Sequence, residues 1–406
     1  MESYDVVIVG AGMVGLCLAS ALGQQNFRVA LVDSQHNDTP LKATPENRVS
    51  AISQASVNIL TRLGAWQALP KERLQAYARM HVWEQDSFAK IDFDSPALVQ
   101  GNLGYIAENQ AIRLALLNQT SLNPNVTMHT GKTIEKLVFG QKEAFLSLSD
   151  DTMLTATLVV GADGANSFVR RQANLPMTFW DYDHQAIVAT VNTEIPHQAC
   201  ARQVFTPTGP LALLPLWQSN QCSIVWSQQS QQAQTLMALN DEDFNKALTV
   251  AFDGKLGQLQ LESQRQAFPL TMRYVRQWCK DRVVVIGDAA HTIHPLAGQG
   301  VNLGFADVAA LVEQLQLLRE QGKDFGLQRS LREFERWRKS DAMTMIAAME
   351  GFKHLFSGRH PVKKLLRDVG LSLTDKLPPL KDRFMRQAMG LEGQLPALAK
   401  PLTLDS

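Results

Sequence analysis

Two textures of apolar sequence divide the chain. Val6-Val7-Ile8-Val9, Arg28-Val29-Ala30-Leu31-Val32, Ala156-Thr157-Leu158-Val159-Val160 and Arg282-Val283-Val284-Val285-Ile286 are nearly continuous hydrophobic runs. Runs of this kind suit strands buried on both faces, as in a parallel sheet covered by helices. Between the first two, small and apolar residues from Met13 to Leu22 suit a closely packed helix, so the first 33 residues predict a parallel βαβ unit. The later two runs each close on a Gly and an Asp and are expected in the same sheet. Residues 186–193, 202–205, 211–216 and 222–227 instead alternate or run β-branched between turn residues, which predicts an antiparallel sheet in a second layer. From Val301 the period becomes helical, with Val308, Leu311, Leu315 and Leu318 on one face.

Composition narrows the function classes. At 406 residues the chain suits two domains, or one nucleotide domain with a large insertion. Lys+Arg and Asp+Glu are equal at 39 each, so no global field recommends nucleic acid as a partner. Cys17, Cys200, Cys222 and Cys279 include no close pair, which argues against a zinc site or redox pair and for a reducing, cytoplasmic compartment. Met1-Glu2-Ser3-Tyr4-Asp5 lacks the basic start of a secretory signal, and no apolar stretch is expected to reach the roughly 18 residues of a spanning helix. Membrane contact is therefore expected to be peripheral.

Three glycine-aspartate constellations carry the chemistry. Gly10-x-Gly12-x-x-Gly15 follows a predicted strand and opens a helix beginning Met13-Val14, with Asp33 at the end of the next strand. This is the fingerprint of a βαβ turn that binds an ADP moiety. Gly10 permits the turn, Gly12 lets backbone N–H groups approach a diphosphate, Gly15 allows close packing, and Asp33 accepts from a ribose. The fingerprint does not separate NAD from FAD. Gly161-Ala162-Asp163-Gly164-Ala165-Asn166-Ser167 makes a second turn at a strand's carboxyl end, where ligands bind, although Asp163 equally suits a helix cap. The third runs Ile286-Gly287-Asp288-Ala289-Ala290-His291, through Pro295, to Gly298-Gln299-Gly300-Val301-Asn302 and a helix. Asp288 there suits a ribityl hydroxyl, and the glycines bare N–H groups suited to the flavin edge that gains negative charge on reduction.

These motifs, with Arg48-Val49-Ser50-Ala51-Ile52 and the run from Gly287 to Gly304, resemble the group A flavoprotein aromatic hydroxylases related to p-hydroxybenzoate hydroxylase. Within that group they resemble the ubiquinone-biosynthesis hydroxylases. The segments from His81 to Phe88 and from Thr178 to Tyr182 look most like the 2-octaprenylphenol hydroxylase branch, which acts at ring carbon 5. The resemblance implies an α/β fold: an FAD-binding Rossmann-like domain from residues 1–75, 100–175 and 271–330, a mixed or antiparallel substrate domain from 76–99 and 176–270, and a helical C-terminal region from 331–406. It implies FAD contacts from Arg48, Asn109 and Asp163 as well, and NAD(P)H as a transient reductant. The implied reaction hydroxylates a polyprenylphenol through a flavin hydroperoxide. Hydroxylation at another ring position of that pathway, or a flavin dehydrogenase that never activates oxygen, remains open here.

On this reading the substrate pocket lies between the loop His294, Pro295, Leu296, Ala297 and Gly298, which supplies the flavin-facing candidates, and the antiparallel sheet. Phe205, Leu214 and Trp226 are candidate walls, with core packing as their favoured role. No metal is expected: His291 and His294 have no accompanying Cys or carboxylate set. Residues 351–390 hold nine Lys and Arg against three Asp, interleaved with Phe352, Leu355, Phe356, Leu365, Leu366 and Phe384. That pattern suits peripheral contact with an anionic inner membrane face, and equally a solvated basic face on closing helices. The family context adds a ubiquinone-biosynthesis protein complex as an expected partner.

Overall fold

The computed structural model describes residues 1–36, 39–42, 44, 46–85, 87, 90–94, 101–292, 300–356, 385–386 and 389–402. The continuous hydrophobic runs form one sheet. Its parallel core has the order Val283–Val285, Met153–Gly161, Glu2–Val9, Val29–Asp33, Val126–Thr130, with Ile134–Phe139 and Ala144–Leu148 added antiparallel beside Met153–Gly161. Val6, Val7, Ile8, Val159, Val160, Val283 and Val284 are fully buried, as a sheet covered on both faces requires.

Helix α1 (Met13–Gln24) crosses between the first two strands. Three short strands, Val49–Ser53, Leu74–Tyr77 and Gly104–Glu108, form a small antiparallel sheet from which α2 (Gln54–Arg62) and α3 (Asn109–Ser121) continue. Helix α4 (Phe168–Gln172) follows the second glycine turn. The cover is completed further along by a 21-residue helix, Gly300–Glu320, whose Val308, Leu311 and Leu315 are fully buried.

The alternating segments build a nine-stranded sheet around the 17-residue strand Met177–Thr193. Successive side chains point to opposite faces. One face, with Ile187, Val204, Leu211, Leu213, Ile224 and Trp226, packs on α5 (Ser230–Ala238) and α6 (Asp241–Ala251). The other packs Ala201, Leu214 and Leu216 against Ala51, Tyr77 and Ile106 of the small sheet. The nine-stranded sheet also takes in Gln266–Val275 and the two-residue strand His291–Thr292, so it runs through the expected boundary at 271 and includes the end of the third motif.

The helix Gly300–Glu320, α7, is followed by α8 (Gln328–Phe356). By length and composition α7 is apolar enough to cross a membrane, contrary to the expectation that no segment would be. Its apolar side is spent inside the protein, in the core shared with α1. Beyond it, the described C-terminal segment straps the fold: Asn58 of α2 donates to the Ala399 carbonyl at 3.0 Å, and the Ala397 N–H donates to Glu313 of α7 at 2.8 Å.

Candidate active site

The first turn is shaped by contacts that leave no room for side chains. Gly10 has φ +105°, and a Cβ there would lie 2.5 Å from the Ala162 carbonyl oxygen. A Cβ on Gly15 would fall 1.8 Å from the Gly10 carbonyl oxygen. Gly12 differs, because a Cβ there would meet nothing within 4 Å. It borders an open groove of about 770 Å³, within the usual range for ligand pockets. Asp33 Oδ2 accepts from the Ala11 N–H at 2.5 Å and Oδ1 from Gln35 N–H at 2.7 Å, which holds the carboxylate at the groove wall. Lys42, Gln110 and Arg113 also line it, and the sequence reading missed all three. For Arg113 a signal was present, since it lies one helical turn beyond Asn109 on α3.

The second turn resolves into a cap that is also part of the groove. Asp163 Oδ2 accepts from the N–H groups of Phe168 at 2.6 Å and Val169 at 3.1 Å, while Oδ1 is buried without a hydrogen-bond partner. Ser167 caps α4 as well, accepting from Arg170 N–H at 2.9 Å. Arg170 itself was not anticipated. Its buried guanidinium donates to the Ala165 carbonyl at 2.8 Å and to the Ala289 carbonyl at 2.9 Å, joining the second turn to the third. Burial pulls the pKa of this guanidinium down from its ordinary value, with the neighbouring Asp163 opposing.

At the third turn Gly287 has φ +57°, and its missing side chain, with that of Gly304, makes room for Val14 of α1. The beginnings of α1 and α7, at Met13 and Gly300, are therefore brought close together, with Val301 packed on the main core. Asp288 is exposed by surface, yet its carboxyl is desolvated by surrounding protein. This enclosure raises its pKa, while His291, Arg273 and Arg48 pull it the other way.

Arg48 lies outside the groove wall. Its guanidinium stacks over Phe268 with 4.5 Å to the ring centroid, and its charge reaches Asp288. Asn109 accepts from Ser50 Oγ at 2.7 Å and donates its backbone N–H to the Arg48 carbonyl at 3.1 Å, so it positions the strand that carries Arg48. Asn302 likewise spends its side chain on protein. Its Oδ1 accepts from Ser53 N–H at 3.0 Å and Ser56 Oγ at 2.8 Å, and its Nδ2 donates to the Ala51 carbonyl at 2.7 Å. These bonds tie α7 to the small sheet.

His291 Nε2 shares a 2.6 Å hydrogen bond with Asp307, and its ring lies 5.1 Å from Trp278. The flavin-facing candidates His294, Pro295, Leu296, Ala297 and Gly298, together with Gln299, lie outside the described residues. Trp226 takes the core role that its sequence favoured over a pocket wall, because its ring meets Phe244 of α6 at 5.9 Å on the far face of the sheet. Phe205 and Leu214 do lie on the opposite face, where they pack against Val82 and Ile91, and against Tyr77 and Ile106, respectively.

An ADP-containing flavin fits this set of residues. Gly12 leaves space where a diphosphate needs backbone donors, Asp33 offers acceptor lone pairs to a ribose, and Asp288 is exposed on the turn beside Val14 of α1 and Gly304 of α7. FAD, reduced by a nicotinamide, supplies the oxygen chemistry that no side chain provides.

Comparison with known proteins agrees with the geometry. Residues 3–343 match the FAD binding domain family. Ubiquinone biosynthesis monooxygenase COQ6, mitochondrial, of Xenopus tropicalis is 36% identical over 94% of this chain and 92% of its own length. The 3-demethoxyubiquinol 3-hydroxylase of Escherichia coli is 35% identical over 96% of this chain and 99% of its own. Among solved structures, p-nitrophenol 4-monooxygenase PnpA from Pseudomonas putida superposes with a TM-score of 0.78 at 19% identity, covering 97% of this chain and 100% of that one, which shows the shared fold. The chain belongs to the family of FAD-dependent aromatic-ring monooxygenases that includes the ubiquinone-biosynthesis hydroxylases.

Proposed function

We propose that the substrate is a polyprenylphenol intermediate of ubiquinone synthesis and that oxygen is inserted at ring carbon 5. Alignment of nearly the whole chain with monooxygenases named for ubiquinone biosynthesis is the observation that carries this reading. In it, the turn at residues 10–15 holds the FAD diphosphate, with Asp33 on the ribose and Asp288 on the ribityl chain. The N–H groups at the start of α7 stabilise negative charge on the flavin. Arg48 and Asp163 complete the cofactor's surroundings. The remaining task of the protein is to orient the phenol and to exclude water, which the apolar face carrying Leu214 and Ala186 favours.

Expression of this chain in a strain lacking the pathway's carbon-5 hydroxylase is expected to restore ubiquinone. Continued accumulation of the unhydroxylated phenol would sink the proposal. The name of the Escherichia coli relative supports a second reading, in which the demethoxyubiquinol ring position is the target. Rescue only of a strain lacking that other hydroxylase would select it, and mass spectrometry of the product identifies the position directly. We further propose peripheral membrane contact at the inner face through the basic stretch of residues 351–390, in reach of a pathway complex. Flotation with anionic liposomes that is equal for the wild type and a charge-reversed tail would remove this contact.

A further inference from the structure

We infer that Asp307 is the positioning residue of the flavin-side turn, through which the C-terminal helix α8 sets the direction of Asp288. The inference rests on the FAD assignment at Asp288 and is independent of the substrate.

Asp307 lies on α7 and is fully buried. Three donors converge on its carboxylate, two from the turn at residues 287–291 and one from α8. Oδ2 accepts from the Gly287 N–H at 3.0 Å and from His291 Nε2 at 2.6 Å, while Oδ1 accepts from Arg338 Nε of α8 at 2.8 Å. Burial alone would raise the pKa of such a carboxyl, but His291 and Arg338 overcome this and hold it below the ordinary value. An ionised carboxylate only accepts hydrogen bonds, so His291 carries a proton on Nε2.

The grip falls on the residues that flank Asp288. Gly287 precedes it, held from behind by its N–H and shaped by a positive φ. Ala289 follows it, held through its carbonyl by Arg170. Asp288 is left exposed on a turn fixed on both sides. Helix α8 takes a second hold nearby: Glu335 accepts from the Trp278 N–H at 2.7 Å, and the Trp278 ring lies against His291. Arg338 is itself held by Asp341 one turn further along α8. A helix remote from the glycine motifs in sequence is thereby wired to the cofactor turn by one carboxylate and one imidazole. A buried ionic network of this kind is weak evidence for stability, and breaking it by removing one partner leaves an uncompensated buried charge.

The test uses full-length apo-protein and FAD itself as the probe, with affinity read by fluorescence quenching well below each variant's melting temperature. Asp307→Asn and His291→Leu are expected to weaken FAD binding about ten- to a hundredfold, the range of a charge-assisted hydrogen bond, and to alter the visible spectrum of the bound flavin. His291→Gln keeps an N–H donor at similar reach and is expected to stay within a few fold of the parent. Arg338→Met should follow His291→Leu. Where Asp307→Asn does not fold, the His291 pair decides. Parental FAD affinity and spectrum in folded His291→Leu and Arg338→Met, with only the melting temperature lowered, would overturn the inference and leave the network a structural one. Because FAD binding is read without substrate, failure of the polyprenylphenol reading would not affect the result.

Discussion

At the diphosphate end of the site, the turn at residues 10–15 is set mainly by backbone contacts: Asp33 reaches Ala11 across 22 positions, Gly15 is demanded by the Gly10 carbonyl within the turn, and Gly10 by the Ala162 carbonyl of the second turn. At the flavin end, side chains do the holding: Asp307 takes the Gly287 N–H across 20 positions, and the turn and α7 have further ties far along the chain. Asn302 ties to Ala51 across 251 positions, and Arg170 reaches Ala289 across 119. The first end is largely a motif that a short sequence can specify, with one long-range contact at Ala162. The second is an assembly, and its precision depends on the whole fold being in place.

The largest way to break the contrast is Gly15→Val. With even a Cβ placed 1.8 Å from the Gly10 carbonyl, the helix and strand cannot keep their separation, and the expected outcome is loss of folded, yellow protein on purification. Gly12→Val separates packing from binding at the same turn. Its side chain enters open space, so circular dichroism should report a native fold while FAD affinity falls by roughly two orders of magnitude. Full retention of FAD by that variant would displace the diphosphate from this groove.

At the other end, Asn302→Ala removes three hydrogen bonds to Ala51, Ser53 and Ser56 and should cost about 3 kcal/mol in a denaturant titration, given 1–3 kcal/mol for each buried group left unpaired and partial relaxation. A change below about 0.5 kcal/mol would show that α7 does not need this tie.

The smallest expected effect is on the scaffold that both ends share. His129 and His197 are held below the ordinary histidine pKa, chiefly by burial. A histidine whose folded pKa is depressed takes up its proton more readily when unfolded, so stability is present above about pH 6.5 and is lost as pH falls through the folded values. Denaturant midpoints should therefore decline on acidification in that range, and His197→Asn should make the decline shallower. A flat profile would remove both histidines from the acid response.

Legibility followed the same division. The runs at Val6, Val29, Val159 and Val284 announced a doubly covered parallel sheet because every position in them must be apolar, and all of these residues are fully buried. The long strand Met177–Thr193 was read only from residue 186, since Asp181, Asp183 and His184 break the pattern where its pairing register shifts. The small sheet passed unread: its strands Val49–Ser53, Leu74–Tyr77 and Gly104–Glu108 are short and separated along the chain, and their pairing is a tertiary fact. Trp226 was a candidate for two roles because hydrophobicity does not say which face of a strand meets the pocket; the register with Ile187 and Leu211 decides it. Arg170 and Asp307 carry no local signature, and a charged residue inside a helical run reads as solvent-facing until its distant partners are known.

The long reach of these ties bears on the order in which the protein is made. The first strand needs Met153–Gly161 on one edge, that strand needs Val283–Val285 beyond it, and Arg338 of α8 arrives later still. On the ribosome, the ADP-binding turn therefore emerges first but has no finished sheet to sit in until most of the chain has been synthesised. Non-local pairing of this extent makes folding slow, since loop closure must precede the contacts that reward it. Cofactor capture is consequently a late event in the life of the polypeptide.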